Sequence, residues 1–227
     1  MIAENVGNIR KQINGVCSRV GRNPDDITLI AVSKTFDAEC IREVVSAGVP
    51  DIGENYVQEV LTKRQYLEHE PIRWHFIGHL QRNKIKYIIP WVHCIHSVDS
   101  LRLGEEISFQ ASKTKKTIDV FVEVNSTDEE SKFGIKPDKA IELVKQLRQC
   151  SHLTVKGLMT IGKFGEPEES RPAFRILREL RNDLEKDGIS LPHLSMGMTN
   201  DFPIGIEEGA TMIRIGTAIF GKRNYHK

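Results

Sequence analysis

The sequence predicts an α/β protein: a single (β/α)8 barrel with an extra N-terminal helix, one domain over residues 1–227. Three observations carry this. Eight short apolar runs alternate with seven amphipathic segments. Strands separated by helices pair in parallel through right-handed crossovers, and eight such units close into a barrel. The length of 227 residues matches the usual size of such a barrel, about 200–250 residues. The competing architecture, an open doubly wound sheet, should carry a glycine-rich nucleotide turn after its first strand. The turn here is Ser33-Lys34-Thr35-Phe36 and has no glycine.

The elements follow in order. Ile2, Val6, Ile9, Ile13, Val16 and Val20 recur at steps of four and three, the single apolar stripe of an amphipathic helix. Gly21-Arg22-Asn23-Pro24 stops it. The eight predicted strands are 28–33, 51–54, 74–77, 94–97, 118–125, 154–159, 193–196 and 211–215. Between them, Asp37 can cap a helix through Val45 that stops at Gly48. A second helix carries Val57, Val60 and Leu61. The third runs from about Gln81 to Ile89 and is stopped by Pro90. Asp99 can cap the fourth. The fifth follows Pro137 through Leu147, the sixth carries Phe174, Leu177, Leu180 and Leu184, and a short seventh ends near Gly209. No internal repeat, linker or low-complexity stretch interrupts this rhythm.

Composition narrows the function. Hydrophobic residues are 39% and charged residues 28%, with a formal net charge of +1. That is an ordinary globular balance, and no global field steers the chain to nucleic acid or to an anionic membrane. The cluster Lys113-Thr114-Lys115-Lys116 reads as a solvated loop. No run of about 18 apolar residues is present, so a membrane span is not expected. Cys17, Cys40, Cys94 and Cys150 are widely and irregularly spaced, with no C-x-x-C pair and no secretory leader. This reads as reduced thiols and a cytoplasmic location.

In such barrels chemistry sits at the carboxyl ends of the strands. The ends here present Lys34, Asn55, Gly78, Ser97, Asn125, Met159, Ser195 and Arg214 with Gly216-Thr217. Lys34 reads either as a snorkelling lysine or as a nucleophilic amine, its pKa lowered by burial and a neighbouring cation. Arg214 would be that cation. Its alternative is a barrel-mouth salt bridge to Glu54 or Glu123. Facing a pyridine nitrogen, a permanently charged guanidinium can only donate, which leaves the ring a weak electron sink. Ser195-Met196-Gly197-Met198 and Gly216-Thr217 follow strands seven and eight, where these barrels recurrently bind phosphate. There Gly216 would expose backbone N–H groups, and Ser195 and Thr217 would add hydroxyls. Asn55 either bonds a ligand or caps the next helix. His75 and His79, four apart, straddle a strand and a turn, so no metal site is expected from them. First and last strands adjoin in a closed barrel, and the pocket they share would suit a phosphorylated aldehyde held as a Schiff base.

These residues lie in stretches that resemble the YggS/PROSC family of pyridoxal phosphate homeostasis proteins. The stretches are Ala31-Val32-Ser33-Lys34-Thr35, Gly53-Glu54-Asn55-Tyr56, Trp74-His75-Phe76-Ile77-Gly78, Leu80-Gln81-x-Asn83-Lys84, Gly157-Leu158-Met159-Thr160, Ser195-Met196-Gly197-Met198 and Ile213-Arg214-Ile215-Gly216-Thr217-x-Ile219-Phe220-Gly221. The match runs in order over almost the whole chain. The resemblance implies a barrel similar to the N-terminal domain of alanine racemase, with pyridoxal 5′-phosphate as an internal aldimine on Lys34. Arg214 would face the pyridine nitrogen, Ser195, Gly216 and Thr217 would hold the phosphate, and Asn55 would lie near the ring. It also implies a monomer acting in vitamin B6 and amino-acid homeostasis without firm catalytic activity, with apoenzymes that need the cofactor as its acceptors. Three positions depart from the family pattern: Ile161-Gly162-Lys163-Phe164-Gly165 after strand six, Gly205 for a common alanine, and Thr199 for a common serine.

Two catalytic readings compete. A racemase needs acid–base groups on both faces of the substrate carbon. The second group normally comes from a C-terminal β domain, and the sequence ends at Lys227, ten residues after Thr217. A cofactor-free Schiff-base aldolase would use Lys156, which precedes Gly157-Leu158-Met159 and so lies below the strand mouth. The expectation is therefore a carrier that binds the cofactor, with no catalytic residues.

Overall fold

A computed structural model gives the structure of the chain and describes all residues except 128, 130, 131 and 223–227. The strands are β1 (Thr28–Val32), β2 (Asp51–Glu54), β3 (Arg73–Phe76), β4 (Cys94–Val98), β5 (Ile118–Glu123), β6 (Leu153–Met159), β7 (His193–Met198) and β8 (Met212–Ile215). Each pairs in parallel with the next, and β8 pairs back onto β1, closing the barrel. The expected fold class is the observed one.

Helix α1 (Ile2–Val20) precedes the barrel and buries Ile2, Val6, Ile9, Ile13 and Val16. It ends at Gly21, which takes the left-handed conformation at φ 68° and returns its N–H to the Cys17 carbonyl. The crossover helices are α2 (Ala38–Ser46), α3 (Val57–Arg64), α4 (Ile85–Ile88), α5 (Leu101–Lys113), α6 (Pro137–Leu147), α7 (Arg171–Lys186) and α8 (Phe202–Glu207). A last short helix, α9 (Thr217–Phe220), follows β8 directly. The sequence pattern did not mark it, because four residues are too few to show a period.

Caps explain several boundaries. Asp37 accepts the Cys40 N–H at 3.0 Å and starts α2. Asp99 does not cap α5. Ser100 is the capping residue, and its hydroxyl donates to the Asp99 carboxylate at 3.1 Å. Helix α4, the third crossover helix, is shorter than its apolar pattern: a 3-10 turn over Arg82–Lys84 occupies its start.

Two interiors result. The large apolar core lies between strands and helices and includes Ile41, Val60, Ile85, Ile107, Val144, Phe174 and Leu177. Inside the barrel the composition changes. Cys94, Phe121 and Met159 form a small apolar cluster there. The buried polar residues Asp51, His75, His96, Ser195, Glu123 and Arg214 also come from barrel strands. A barrel interior is packed with side chains, and a polar packing requires hydrogen-bond partners.

Candidate functional site

The β1 end is built around a tight turn. Phe36 N–H donates to the Ser33 carbonyl at 3.0 Å, so Ser33-Lys34-Thr35-Phe36 closes on itself. Thr35 is forced to φ 73°. A β-branched residue in the left-handed region is a strained outlier, and such strain persists only where the surroundings impose it.

The surroundings here are a buried ion network. Lys63, on α3 and only 6% exposed, reaches the Ser33 carbonyl at 2.7 Å, Glu54 at 2.6 Å and Glu59 at 2.7 Å. Ser33 Oγ donates to Glu54 Oε1, and Thr35 N–H donates to Glu59 Oε1, both at 2.5 Å. The residues on both sides of Lys34 are therefore clamped. Lys34 itself is half-buried. Burial raises the pKa of Glu54, and the Lys63 charge opposes that rise. No sequence signal singles out Lys63, since a lysine on an amphipathic helix reads as solvated.

The β8 end lies alongside. In register, Ile30 of β1 sits opposite Arg214 and Ala31 opposite Ile215. A Cβ on Gly216 would sit 3.4 Å from the Val32 carbonyl oxygen, so the backbone after β8 runs against the end of β1. Phe36 stacks on Phe220 with centroids 4.9 Å apart, which ties the Lys34 turn to α9. Thr217, the first residue of α9, is exposed. Lys34 lies two residues beyond Val32, the last residue of β1.

Arg214 is buried. Its Nη1 donates to the Ser195 carbonyl at 2.6 Å and to Ser195 Oγ at 2.7 Å, and its Nη2 donates to the Thr160 carbonyl at 2.7 Å. The salt bridge to Glu54 considered from the sequence is not formed, because Glu54 is taken by Lys63. Burial lowers the Arg214 pKa to about 10, with the charges of Asp201 and Glu123 opposing. The guanidinium therefore stays charged at neutral pH. Glu123, at the end of β5, is pushed up to about 7 by burial and by Asp99, against the Arg214 charge.

Ser195 stands differently from its sequence placement. Strand β7 continues to Met198, with a register irregularity between Ser195 and Met198. Ser195 is thus mid-strand and fully buried, with its Oγ against Arg214 and His96. The strand mouth is formed by Gly197 and Met198. Gly197 holds φ 95°, and Asp201 Oδ1 accepts the Met198 N–H at 2.6 Å.

Asn55 follows β2, half-buried, and its buried Oδ1 has no hydrogen-bond partner among the described residues. It does not cap α3, whose N-terminal capping residue is Tyr56 and makes no side-chain bond. A buried amide oxygen without a partner costs about 1–3 kcal/mol, so this atom is open to a donor. Gly78 lets the chain after β3 pass against the Asn55 backbone. A Cβ there would lie 2.3 Å from the Asn55 carbonyl oxygen.

His75 and His79 do not meet as a pair. His79 stacks on Phe133, and His75 hydrogen-bonds His96 across β3 and β4. Lys156 lies 3.8 Å from Asp119 and is partly exposed. It takes no place in the Lys34–Arg214 region.

The chain matches the family model described as alanine racemase, N-terminal domain, over residues 5–224. It is 45% identical to the pyridoxal phosphate homeostasis protein of Aquifex aeolicus (strain VF5) over 98% of each chain. The chain belongs to the pyridoxal phosphate homeostasis protein family. The Escherichia coli (strain K12) member is 37% identical, over 100% of this chain and 98% of that protein. Among solved structures, PipY of Synechococcus elongatus PCC7942 superimposes with a TM-score of 0.88 at 34% identity without pyridoxal phosphate. With pyridoxal phosphate bound to PipY, the TM-score is 0.86 at 33% identity. Each covers 97% of this chain and 100% of the other. Alanine racemase of Clostridium difficile 630 shares the fold at a TM-score of 0.75 and 15% identity, with this chain covering 56% of it.

Proposed function

We propose that this protein binds pyridoxal 5′-phosphate at the β1–β8 mouth and acts in vitamin B6 homeostasis as a carrier. The observation that supports this most is the convergence of two turns. The Lys34 turn and the Gly216–Thr217 turn are joined by the Phe36–Phe220 stack, with the buried Arg214 charge on the neighbouring strand. The pocket fits the group: an amine for an aldehyde, a glycine-lined backbone for a phosphate, a fixed cation and an amide oxygen without a partner.

The role of each residue follows from its chemistry. Lys34 would hold the group through its amine, which can join an aldehyde carbon as a Schiff base with release of one water. Gly216 and Thr217 offer backbone N–H groups and a hydroxyl to the phosphate. Arg214, pinned by two carbonyls and the Ser195 hydroxyl, presents N–H donors to the pyridine nitrogen. Ser195 serves the site through Arg214, and Asn55 accepts from the bound ring or its substituents. Bound pyridoxal phosphate supplies an electrophilic carbon and a conjugated electron sink. A guanidinium cannot give its proton to the ring, so that sink stays weak. This favours holding and handing over the cofactor, to apoenzymes that need it, over racemisation.

The test is spectroscopic and kinetic. Titration with pyridoxal phosphate is expected to give a visible absorption band that is absent from Lys34→Ala. D-alanine formation from L-alanine is expected to stay within about tenfold of free pyridoxal phosphate, since each acid–base group would add about 10²–10⁴-fold. Rapid turnover that disappears in Lys34→Ala would make the protein a racemase.

A further inference from the structure

A continuous line of hydrogen bonds crosses the barrel interior and ends on Arg214. Arg73 donates to Asp51 through Nε at 2.7 Å and through Nη2. Asp51 Oδ1 lies 2.9 Å from His75 Nε2. His75 Nδ1 lies 2.9 Å from His96 Nε2, and His96 Nδ1 lies 3.0 Å from Ser195 Oγ. Ser195 Oγ accepts from Arg214. Asp51, His75, His96, Ser195 and Arg214 are all buried. The residues come from β2, β3, β4, β7 and β8, so the line crosses the barrel rather than following one strand.

We propose that Asp51, His75, His96 and Ser195 form a one-directional hydrogen-bond relay in which His96 and Ser195 are positioning residues for the Arg214 guanidinium. The direction follows link by link. An ionised carboxylate only accepts, so His75 carries its proton on Nε2. A neutral imidazole has one N–H, so His75 Nδ1 accepts, and His96 must donate from Nε2. His96 Nδ1 then accepts, and the Ser195 hydroxyl must donate to it. What Ser195 has left for Arg214 is lone pairs. Its hydroxyl proton is spent inside the barrel and is not available to a phosphate.

Charge supports the neutral rings. Asp51 is held at about 2: burial alone would raise it, and the hydrogen bonds from His75 and Arg73 outweigh that. Arg73 already balances the Asp51 charge. Around His75 lie the His93 ring, 5.3 Å away on one side, and His96 on the other. Burial, with the Arg214 charge acting the same way, presses the His96 pKa well below its usual value. The ring of His96 is fixed in plane by Phe121, stacked 4.4 Å away at 3°.

The same place offers a competing occupant. The donor atoms of His75, Cys94 and His96 lie within 4.8 Å of one another. Two nitrogens on a tetrahedral zinc at 2.0–2.1 Å stand about 3.4 Å apart. The facing nitrogens of His75 and His96 are 2.9 Å apart, which is the spacing of a shared proton.

The relay rests on the preceding reading only for the role of Arg214 at the cofactor. Nitrogen-15 NMR of histidine-labelled protein without cofactor tests the relay itself. His75 and His96 are expected to show protonated Nε2 and unprotonated Nδ1 at neutral pH. Asp51→Ala removes the anchor and is expected to let His96 populate both tautomers. A wild-type His96 protonated at Nδ1, a cationic His75, or stoichiometric zinc in the purified protein would overturn the relay. The positioning role is read from two substitutions. His96→Asn keeps an acceptor near the Nδ1 position, and His96→Gln keeps a donor near Nε2 but strips Ser195 of its acceptor. Pyridoxal phosphate affinity is expected to fall tenfold or more in His96→Gln and less than threefold in His96→Asn. Equal affinities in the two variants would overturn the positioning role. If the wild type binds no pyridoxal phosphate, the cofactor reading fails while the tautomers still decide the relay.

Discussion

Glu123 shows how a single carboxyl near the pocket makes the fold sensitive to pH. Its pKa stands at about 7 in the folded protein, raised from 4.5 by burial and by Asp99. A raised acid binds its proton more tightly in the folded state. Its contribution is therefore complete below pH 4.5 and is lost as pH rises to about 7. The shift corresponds to about 3 kcal/mol at most. Glu123→Gln, neutral at every pH, is expected to be more stable than wild type at pH 8 and nearly equal at pH 4.5. Urea unfolding at the two pH values measures this, and an equal difference at both would remove Glu123 as the cause. Lys63 is the second informative residue. Lys63→Met leaves Glu54 buried without its counter-charge, which typically costs about 3–5 kcal/mol. Glu54→Gln added to it should recover much of that loss. The same single variant should weaken pyridoxal phosphate binding, because the Ser33–Thr35 turn loses its clamp. Unchanged binding in a folded Lys63→Met protein would show that the turn holds Lys34 unaided.

At the scale of elements, the glycine after β3 has a defined task. Gly78 lets its loop pass against the backbone of Asn55, and a Cβ there would approach the Asn55 carbonyl oxygen to 2.3 Å. Backbone cannot yield as a flexible side chain can. Gly78→Ala is expected to cost about 1–3 kcal/mol as overpacking and to lower cofactor affinity by displacing Asn55. Calorimetry with and without pyridoxal phosphate reads both effects, and a neutral result would show that the β2–α3 turn is plastic. The strands were legible in the sequence because their apolar runs are bounded by turn residues. All eight begin and end within two residues of expectation. The helix α9 and the 3-10 turn ahead of α4 were not legible, being too short for a period. The extension of β7 to Met198 was hidden for another reason. Gly197 reads as a turn signal, and it is the φ of 95° within a strand irregularity that uses it.

For the whole molecule, the barrel explains why the site could be read only in part. Strand ends can be assigned from sequence, so Lys34, Asn55, Arg214, Gly216 and Thr217 stand out as candidates. Contacts between elements join residues far apart in the chain: Asp51 with His75, His96 with Ser195, Lys63 with Ser33. No periodicity reports them, and each polar residue alone reads as surface or turn chemistry. The central claim is that this barrel binds pyridoxal phosphate on Lys34. The direct measurement is borohydride reduction of the loaded protein, followed by proteolysis and mass spectrometry of the peptides. One pyridoxyl group per chain is expected, on Lys34 and absent from Lys34→Ala. A label on Lys63, Lys156 or any other lysine at comparable yield, or no label at all, would contradict it.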